Sequence, residues 1–392
     1  MKIAARVFPG TLVSQNKGAL IWGDHGLIAY AANTTVAVVD STTMQHVTAL
    51  HSHRSPITKI CWAPSSIPVG DVDDLFLASA DTSGFIIIFN VTAGKAKQKL
   101  SESNKVVNAL ELFHTKNSEL YLLSLHQPAL LILWNPKSGE QIWKKSFSES
   151  LSSFSRDPFS EDCIVLNGGG FVQFVKDFSC SQAPSDGTRF FLSSNSSAEP
   201  PLSSPSSSSE KNRVTSIKAQ ISVEDDNQLQ LSNLISVKYH CTRRNTLVLV
   251  YTQDILILDL DIKQTISVVS LERSTCPFVE FPVYPCRYRD AMYCLHDNGT
   301  VVFRIRKLIN GPAEAGGSEG SVAGKSSEFG YESHCSSDGM RITKSQKVYG
   351  LAVCPVTEMK AAVVTSEGKL LVWELSPVSR HINAGVNAVP ST

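Results

Sequence analysis

An all-β chain closed into a seven-bladed β-propeller is the architecture this sequence predicts. Helical periodicity is almost absent. Short runs rich in Val, Ile, Leu, Phe and Tyr recur instead, each bounded by Gly, Asn, Asp, Ser or Pro, as strands joined by tight turns require. The turns of seven such hairpins lie roughly 40 to 50 residues apart, with two intervals stretched by polar insertions, and about 40 to 45 residues with four strands is the period of a propeller blade.

In chain order, the hairpins join residues 27–30 to 36–40 through Asn33-Thr34, 76–80 to 86–90 through Ser83-Gly84, and 120–124 to 131–135 through Gln127-Pro128. The fourth joins 163–166 to 172–175 through Gly168-Gly169-Gly170, a turn between strands rather than a phosphate loop opening a helix. The last three join 247–251 to 255–259, 292–296 to 301–304 and 361–364 to 370–374, the final two through Asn298-Gly299 and Glu367-Gly368. The second unit is the most complete. An inner strand after His53 ends at Cys61-Trp62, and a fourth strand around Lys97 to Leu100 follows Gly94. It resembles a WD repeat, in which a His, a Ser and a Trp form a structural hydrogen-bond relay. His53 and Ser79 match the first two positions and Phe89 replaces the Trp, so the relay is expected to be incomplete. Trp134-Asn135 and Trp373-Glu374 occupy the Trp-Asp position of their units, where the polar side chain is expected to satisfy turn donors.

No fourth strand follows the last hairpin, while the segment Ile3 to Phe8 has strand character and no hairpin of its own. It is therefore expected to pair as the outer strand of blade seven and close the ring, making residues 1–376 one domain. Two interruptions are predicted: a disordered Ser-rich insertion at about 193–212, which contains Ser204-Pro205, and a Gly/Ala/Ser-rich loop at about 310–328. Residues 377–392 read as a polar tail, expected to be a linker to something further.

The 392 residues carry 36 basic and 36 acidic side chains, a balance that argues against a broad nucleic-acid footprint. No charge-free apolar run of about 20 residues is present, so direct membrane insertion is not expected. The start lacks an apolar signal-peptide core, and the nine cysteines contain no Cys-x-x-Cys pair, which predicts reduced thiols in a cytoplasmic protein and no thiolate metal site. Ten histidines include no His-x-x-x-His pair, and the glycosylation sequons read as turns. No Gly-x-Ser-x-Gly elbow or phosphate loop appears. Ser79 to Gly84 misses the Ser-x-Asp-x-Gly spacing of propeller glycosidases, and Trp134 to Trp143 resembles a quinoprotein repeat only once. The expectation is therefore no catalytic residue, no cofactor and no metal. Basic clusters at strand ends offer a candidate rim for acidic peptides: Lys144 and Lys145, Arg243 and Arg244, Arg287 and Arg289, and Arg304, Arg306 and Lys307. Whether they converge is left open by the sequence.

The hairpins resemble one family in particular, the N-terminal propeller of WD repeat-containing protein eleven. The resemblance is carried by Gly26 to Tyr30, Leu77 to Asp81, Leu133-Trp134-Asn135 with Trp143-Lys144-Lys145-Ser146, Ser153 to Phe159, Ile255 to Leu260, Cys294 to Gly299 and Trp373-Glu374-Leu375, in order from about residue 19 to residue 375. It implies a non-catalytic trafficking scaffold that helps capture endosome-derived vesicles at the trans-Golgi network. Its implied partners are a family-with-sequence-similarity-91 subunit, golgin and Rab-GAP-like tethering machinery, and acidic-cluster cargo peptides. The implied location is cytoplasmic, peripheral to the trans-Golgi network and vesicles, with links to ciliogenesis, Hedgehog signalling, the cilium base and the nucleus. The family's second propeller and C-terminal region have no counterpart in this chain. Two other classes stay open: a propeller enzyme, which needs titratable groups converging on the central channel, and a WD-repeat adaptor of a ubiquitin ligase or chromatin complex. The inner strands read as mainly apolar, which favours the scaffold.

Overall fold

The computed structural model describes residues 2–7, 11–65, 75–194, 219–222, 234–271, 278–308, 329–337 and 347–375. They form seven antiparallel blades around a central axis. Blade one comprises Leu20–Trp22, Leu27–Ala32, Thr35–Asp40 and His46–His51; blade two, Ile57–Trp62, Phe76–Asp81, Ile86–Asn90 and Lys95–Leu100; blade three, Val107–His114, Leu120–His126, Leu130–Asn135 and Glu140–Ser146. Blade four begins with Ser153–Arg156, Ile164–Asn167, Phe171–Val175 and Thr188–Ser194. Blade five comprises Ser236–Tyr239, Thr246–Val250, Asp254–Asp259 and Gln264–Ser270, and blade six comprises Phe278–Pro285, Ala291–His296, Val301–Leu308 and Phe329–Ser336. Blade seven contributes Val348–Val353, Lys360–Thr365 and Lys369–Glu374.

Second and third strands are sandwiched between two blades, so both faces are buried and their sequences are nearly continuous apolar runs. Outer strands face solvent, and Lys95–Leu100 accordingly buries only its last residue. The core is distributed rather than central. Each hydrophobic cluster joins two adjacent blades: Tyr30 and Val39 meet Val364 and Leu370 across blades one and seven, and Leu77 and Phe89 meet Val36 and Val38 across blades one and two. Tyr293, Leu295 and Trp373 form the layer between blades six and seven. Burying one such side chain contributes about 1.5 to 3 kcal/mol, so every blade depends on both neighbours.

Ring closure follows the sequence. Lys2–Val7 pairs antiparallel with Lys369–Glu374, Lys2 opposite Glu374 and Val7 opposite Lys369, as the outer strand of blade seven. One connection differs from expectation. Ser193 and Ser194, placed by sequence in the Ser-rich insertion, end a strand of blade four, and Ala219–Ser222 returns alongside it as a fifth strand. Gln220 then bridges to Gln264, so blades four and five share one nine-stranded sheet. The short Ala-Gln-Ile-Ser segment has too little apolar alternation to reveal this pairing. The remaining predicted insertion from 195 to 212, the loop at 310–328 and the tail at 377–392 lie outside the described residues.

The turn at Gly84 shows why that position is glycine. Its φ is +84°, and a Cβ would lie 2.0 Å from the Ser103 carbonyl oxygen. The chain between blades two and three therefore packs directly on this hairpin.

Candidate functional site

Three sets of polar residues could carry function: the buried relays of the blades, the basic rim and the lining of the central channel. In blade two, His53 precedes the inner strand while Ser79 and Asp81, two residues apart on one strand, share a face. The His53 Nδ1 lies 2.8 Å from Asp81 Oδ2 and its Nε2 2.7 Å from Ser79 Oγ. This is the constellation of a serine hydrolase, but Ser79 is wholly buried and the Phe89 ring stands 6.4 Å from the imidazole, where a WD repeat places Trp. Without access for a substrate, the relay is a brace that fixes the inner strand to the hairpin. Asp81 Oδ1 also accepts the N–H groups of Ser83 and Phe85, so one carboxylate organises the whole turn.

Blade three holds a second brace. Trp134 Nε1 donates to Ser124 Oγ at 2.9 Å, and Ser124 Oγ lies 3.2 Å from His126 Nε2. Burial lowers the His126 pKa from its ordinary value, which keeps the imidazole neutral near pH 7. Asn135 accepts from the N–H groups of Lys137 and Ser138, capping its turn. Trp373 is fully buried in the layer between blades six and seven, and its indole N–H has no partner among the described residues. Glu374 faces Lys360 across the strand pair at 3.8 Å.

The rim cations do not form one patch. Lys144 turns to Glu102 at 2.5 Å and Lys145 to Asp186 at 2.9 Å, on opposite sides of blade three. Lys307 pairs with Glu332 along blade six. Arg304 donates weakly to the Tyr331 carbonyl at 3.5 Å, Arg289 reaches Met359 Sδ of blade seven, and Arg244 lies 5.2 Å from the Phe159 ring. Arg243 and Arg306 do converge, but on Asp290, at 3.1 and 3.4 Å. The same carboxylate accepts the Tyr331 hydroxyl, and that hydroxyl lies 2.8 Å from His240 Nε2. The Thr242 N–H donates to His240 Nδ1, so Nε2 carries the proton.

Burial alone would raise the Asp290 pKa. Hydrogen bonds from His240 and Tyr331 and the charge of Arg243 outweigh it and hold this carboxyl well below the usual 3.8. A depressed folded-state pKa gives stability that is fully present above the unfolded value and lost as pH falls below it. The melting temperature should therefore fall on acidification below about pH 4, and Asp290→Asn should be less stable at pH 7 with a flatter acid limb. Thermal melts of both proteins between pH 7 and pH 2.5 check this.

Arg287 belongs to a different place. The first strands of blades three to six end around a cavity of about 630 Å³ whose lining includes Glu111, Arg156, Lys238, Cys241, Tyr284 and Arg287. Arg156 lies 3.7 Å over the Phe113 ring and places Nη1 3.4 Å from Glu111 Oε1. Burial raises the Glu111 pKa while Arg156 and Arg287 oppose it, and burial lowers that of Lys238. Lys238 is exposed by surface area yet surrounded by protein, because its neighbours are channel walls rather than bulk solvent. The expectation of a mainly apolar channel is thus corrected at this mouth: alternate residues of short inner strands point inward, and the charged ones meet only when the ring is closed.

The family described as WDR11 first beta-propeller matches residues 10–309. WD repeat-containing protein 11 of Mus musculus is 34% identical over 389 residues, covering 98% of this chain and 32% of the mouse protein. The Homo sapiens protein of the same name is 33% identical over 401 residues, covering 100% of this chain and 32% of the relative. The chain thus spans about a third of the length of the curated relatives it matches. Among solved structures, a chain of a mitotic checkpoint complex crystal structure aligns with a TM-score of 0.60 over 95% of this chain and 93% of that one. At 11% identity it speaks for the fold alone.

Proposed function

Because the chain belongs to the family of WD repeat-containing protein 11, over the part that forms its first propeller, we propose that it acts as a non-catalytic scaffold in intracellular trafficking. In this reading it helps capture endosome-derived vesicles at the trans-Golgi network within a multi-subunit complex. Its partners are a family-with-sequence-similarity-91 subunit, golgin and Rab-GAP-like tethering proteins, and acidic-cluster cargo peptides. It works in the cytoplasm at the surface of the trans-Golgi network and of vesicles, with the cilium base as a second place of action.

The observation that carries the reading is the match to relatives across at least 98% of this chain. Physical features agree with it. A ring braced at every blade interface presents its loops with little ordering cost on binding. The Asp-His-Ser relay is sealed. Exposed cations on the rim, Arg244, Arg289 and Lys307 among them, give acidic peptides charge-assisted contacts.

A pulldown with acidic-cluster peptides tests the cargo part. The intact protein should bind and release the peptide as ionic strength rises. A variant carrying Arg244→Glu, Arg289→Glu and Lys307→Glu, which spares the Arg306–Asp290 pair, should fail to bind. Salt-insensitive binding, or equal binding by the variant, would remove cargo recognition from this rim.

A further inference from the structure

We propose that the channel mouth between blades three and six is a binding site for a small soluble oxyanion of the phosphate class, of about pyrophosphate size, held by Arg156, Lys238 and Arg287. This goes beyond the trafficking reading and uses none of the residues in its rim test. The three cations come from three successive blades, so their charges meet only in the closed ring.

Charge balance distinguishes this place from the rim. Most rim cations are matched by a carboxylate. The lining of the mouth carries four cations, Lys116, Arg156, Lys238 and Arg287, and three carboxylates, Glu111, Asp157 and Glu161. Arg156 pairs with Glu111 and Lys116 with Glu161, which leaves the side-chain charges of Lys238 and Arg287 without an ion-pair partner among the described residues. Lys238 Nζ donates to the Val283 carbonyl at 3.3 Å and lies 5.9 Å from the Tyr284 ring. Among the described residues, no carboxylate lies within 4.0 Å of a side-chain nitrogen of Lys238 or Arg287, although the Glu358 carboxylate approaches the Arg287 backbone. The Arg156 Nε is buried without a partner. The two further carboxylates of the lining have local partners: Asp157 accepts the Phe159 N–H at 2.9 Å, and Glu161 faces Lys116 at 3.9 Å. Tyr284 is pushed up to about 12 and the Cys241 thiol is also raised by burial, so neither adds negative charge near neutral pH.

A buried guanidinium N–H without an acceptor is costly, and a bound anion supplies the oxygen it lacks together with a counter-charge for Lys238 and Arg287. The donors suit phosphate oxygens, with two planar guanidinium forks and one compact ammonium. They are also held in advance. The Phe113 ring supports Arg156, while the Glu358 carboxylate of blade seven accepts the backbone N–H groups of Arg287 and Tyr288. A cavity of about 630 Å³ admits a diphosphate together with water.

Calorimetric titration with sodium pyrophosphate at constant ionic strength, paired with thermal melts, tests the proposal. Binding to one site and a melting temperature that rises with ligand are expected. Lys238→Met should abolish both while melting no lower than the parent without ligand, because it removes an unmatched charge. Arg287→Ala, at an exposed side chain, should weaken binding about tenfold or more and serves if the first variant does not fold. Lys307→Ala should change nothing. Absence of heat and shift in the parent protein overturns the proposal, as does unchanged binding in both mouth variants. Retention on phosphoinositide vesicles or on acidic peptides without any response to pyrophosphate also overturns it, and leaves the trafficking reading untouched.

Discussion

Deleting residues 2–7 should abolish the cooperative melt of this protein. Those residues are the outer strand of blade seven, and six of their positions pair with Lys369–Glu374. At about 1 kcal/mol net per ladder hydrogen bond, such a strand contributes roughly 5 kcal/mol, against a total stability of about 5 to 15 kcal/mol for a typical domain. The loss is not local. Leu371, Trp373 and Val363 pack on Tyr293 and Leu295 of blade six, while Val364 and Leu370 pack on Tyr30 of blade one. A frayed blade seven therefore loosens both neighbours. The bared strand edge also offers unpaired backbone groups to other chains, so association in size-exclusion chromatography should accompany the broadened melt. A shortened protein that elutes as a monomer and melts as sharply as the parent would show that the ring does not depend on this strand.

Asp81→Ala should be the most damaging single substitution in blade two. It removes the 2.8 Å contact to His53 and leaves the N–H groups of Ser83 and Phe85 without their acceptor. Losing a buried charged partner with several hydrogen bonds costs about 3 to 5 kcal/mol, enough to lower the melting temperature by roughly 5 °C. Ser79→Ala removes one bond at the other end of the relay and should cost only about 1 kcal/mol. Denaturant melts followed by tryptophan fluorescence rank the two. Equal effects would mean that the relay is not anchored at its carboxylate.

These effects trace back to features with unequal visibility in the sequence. All seven hairpins were legible because strands buried on both faces must be continuously apolar, and their turns need Gly, Asn or Asp. The terminal strand was legible from a mismatch, one strand too many at the start and one too few at the end. Half of the blade-three brace was hidden: Trp134 stood out, but His126 ends the second strand rather than preceding the first, so no repeat pattern marked it. Asp81 was visible within Ser79-Ala80-Asp81, yet its double role in brace and turn emerges only from distances. The rim illustrates a harder limit. Basic residues are easy to see, but Lys144 finds Glu102 at a separation of 42 residues and Arg243 finds Asp290 at 47, so their neutralisation depends on which blades adjoin. The channel mouth has the same origin. Glu111 sits within the strand run Val107 to His114, and nothing local tells that Arg156, Lys238 and Arg287 share its cavity.

If the closed ring docks a partner subunit in the proposed way, the two purified proteins form one species in solution. The most direct measurement mixes the purified chain with purified family-with-sequence-similarity-91 subunit and reads the mass of the eluted species by light scattering. The expected result is a stable complex with the intact chain and none with the chain lacking residues 2–7. No complex with the intact protein, or equal binding by the opened ring, would contradict it.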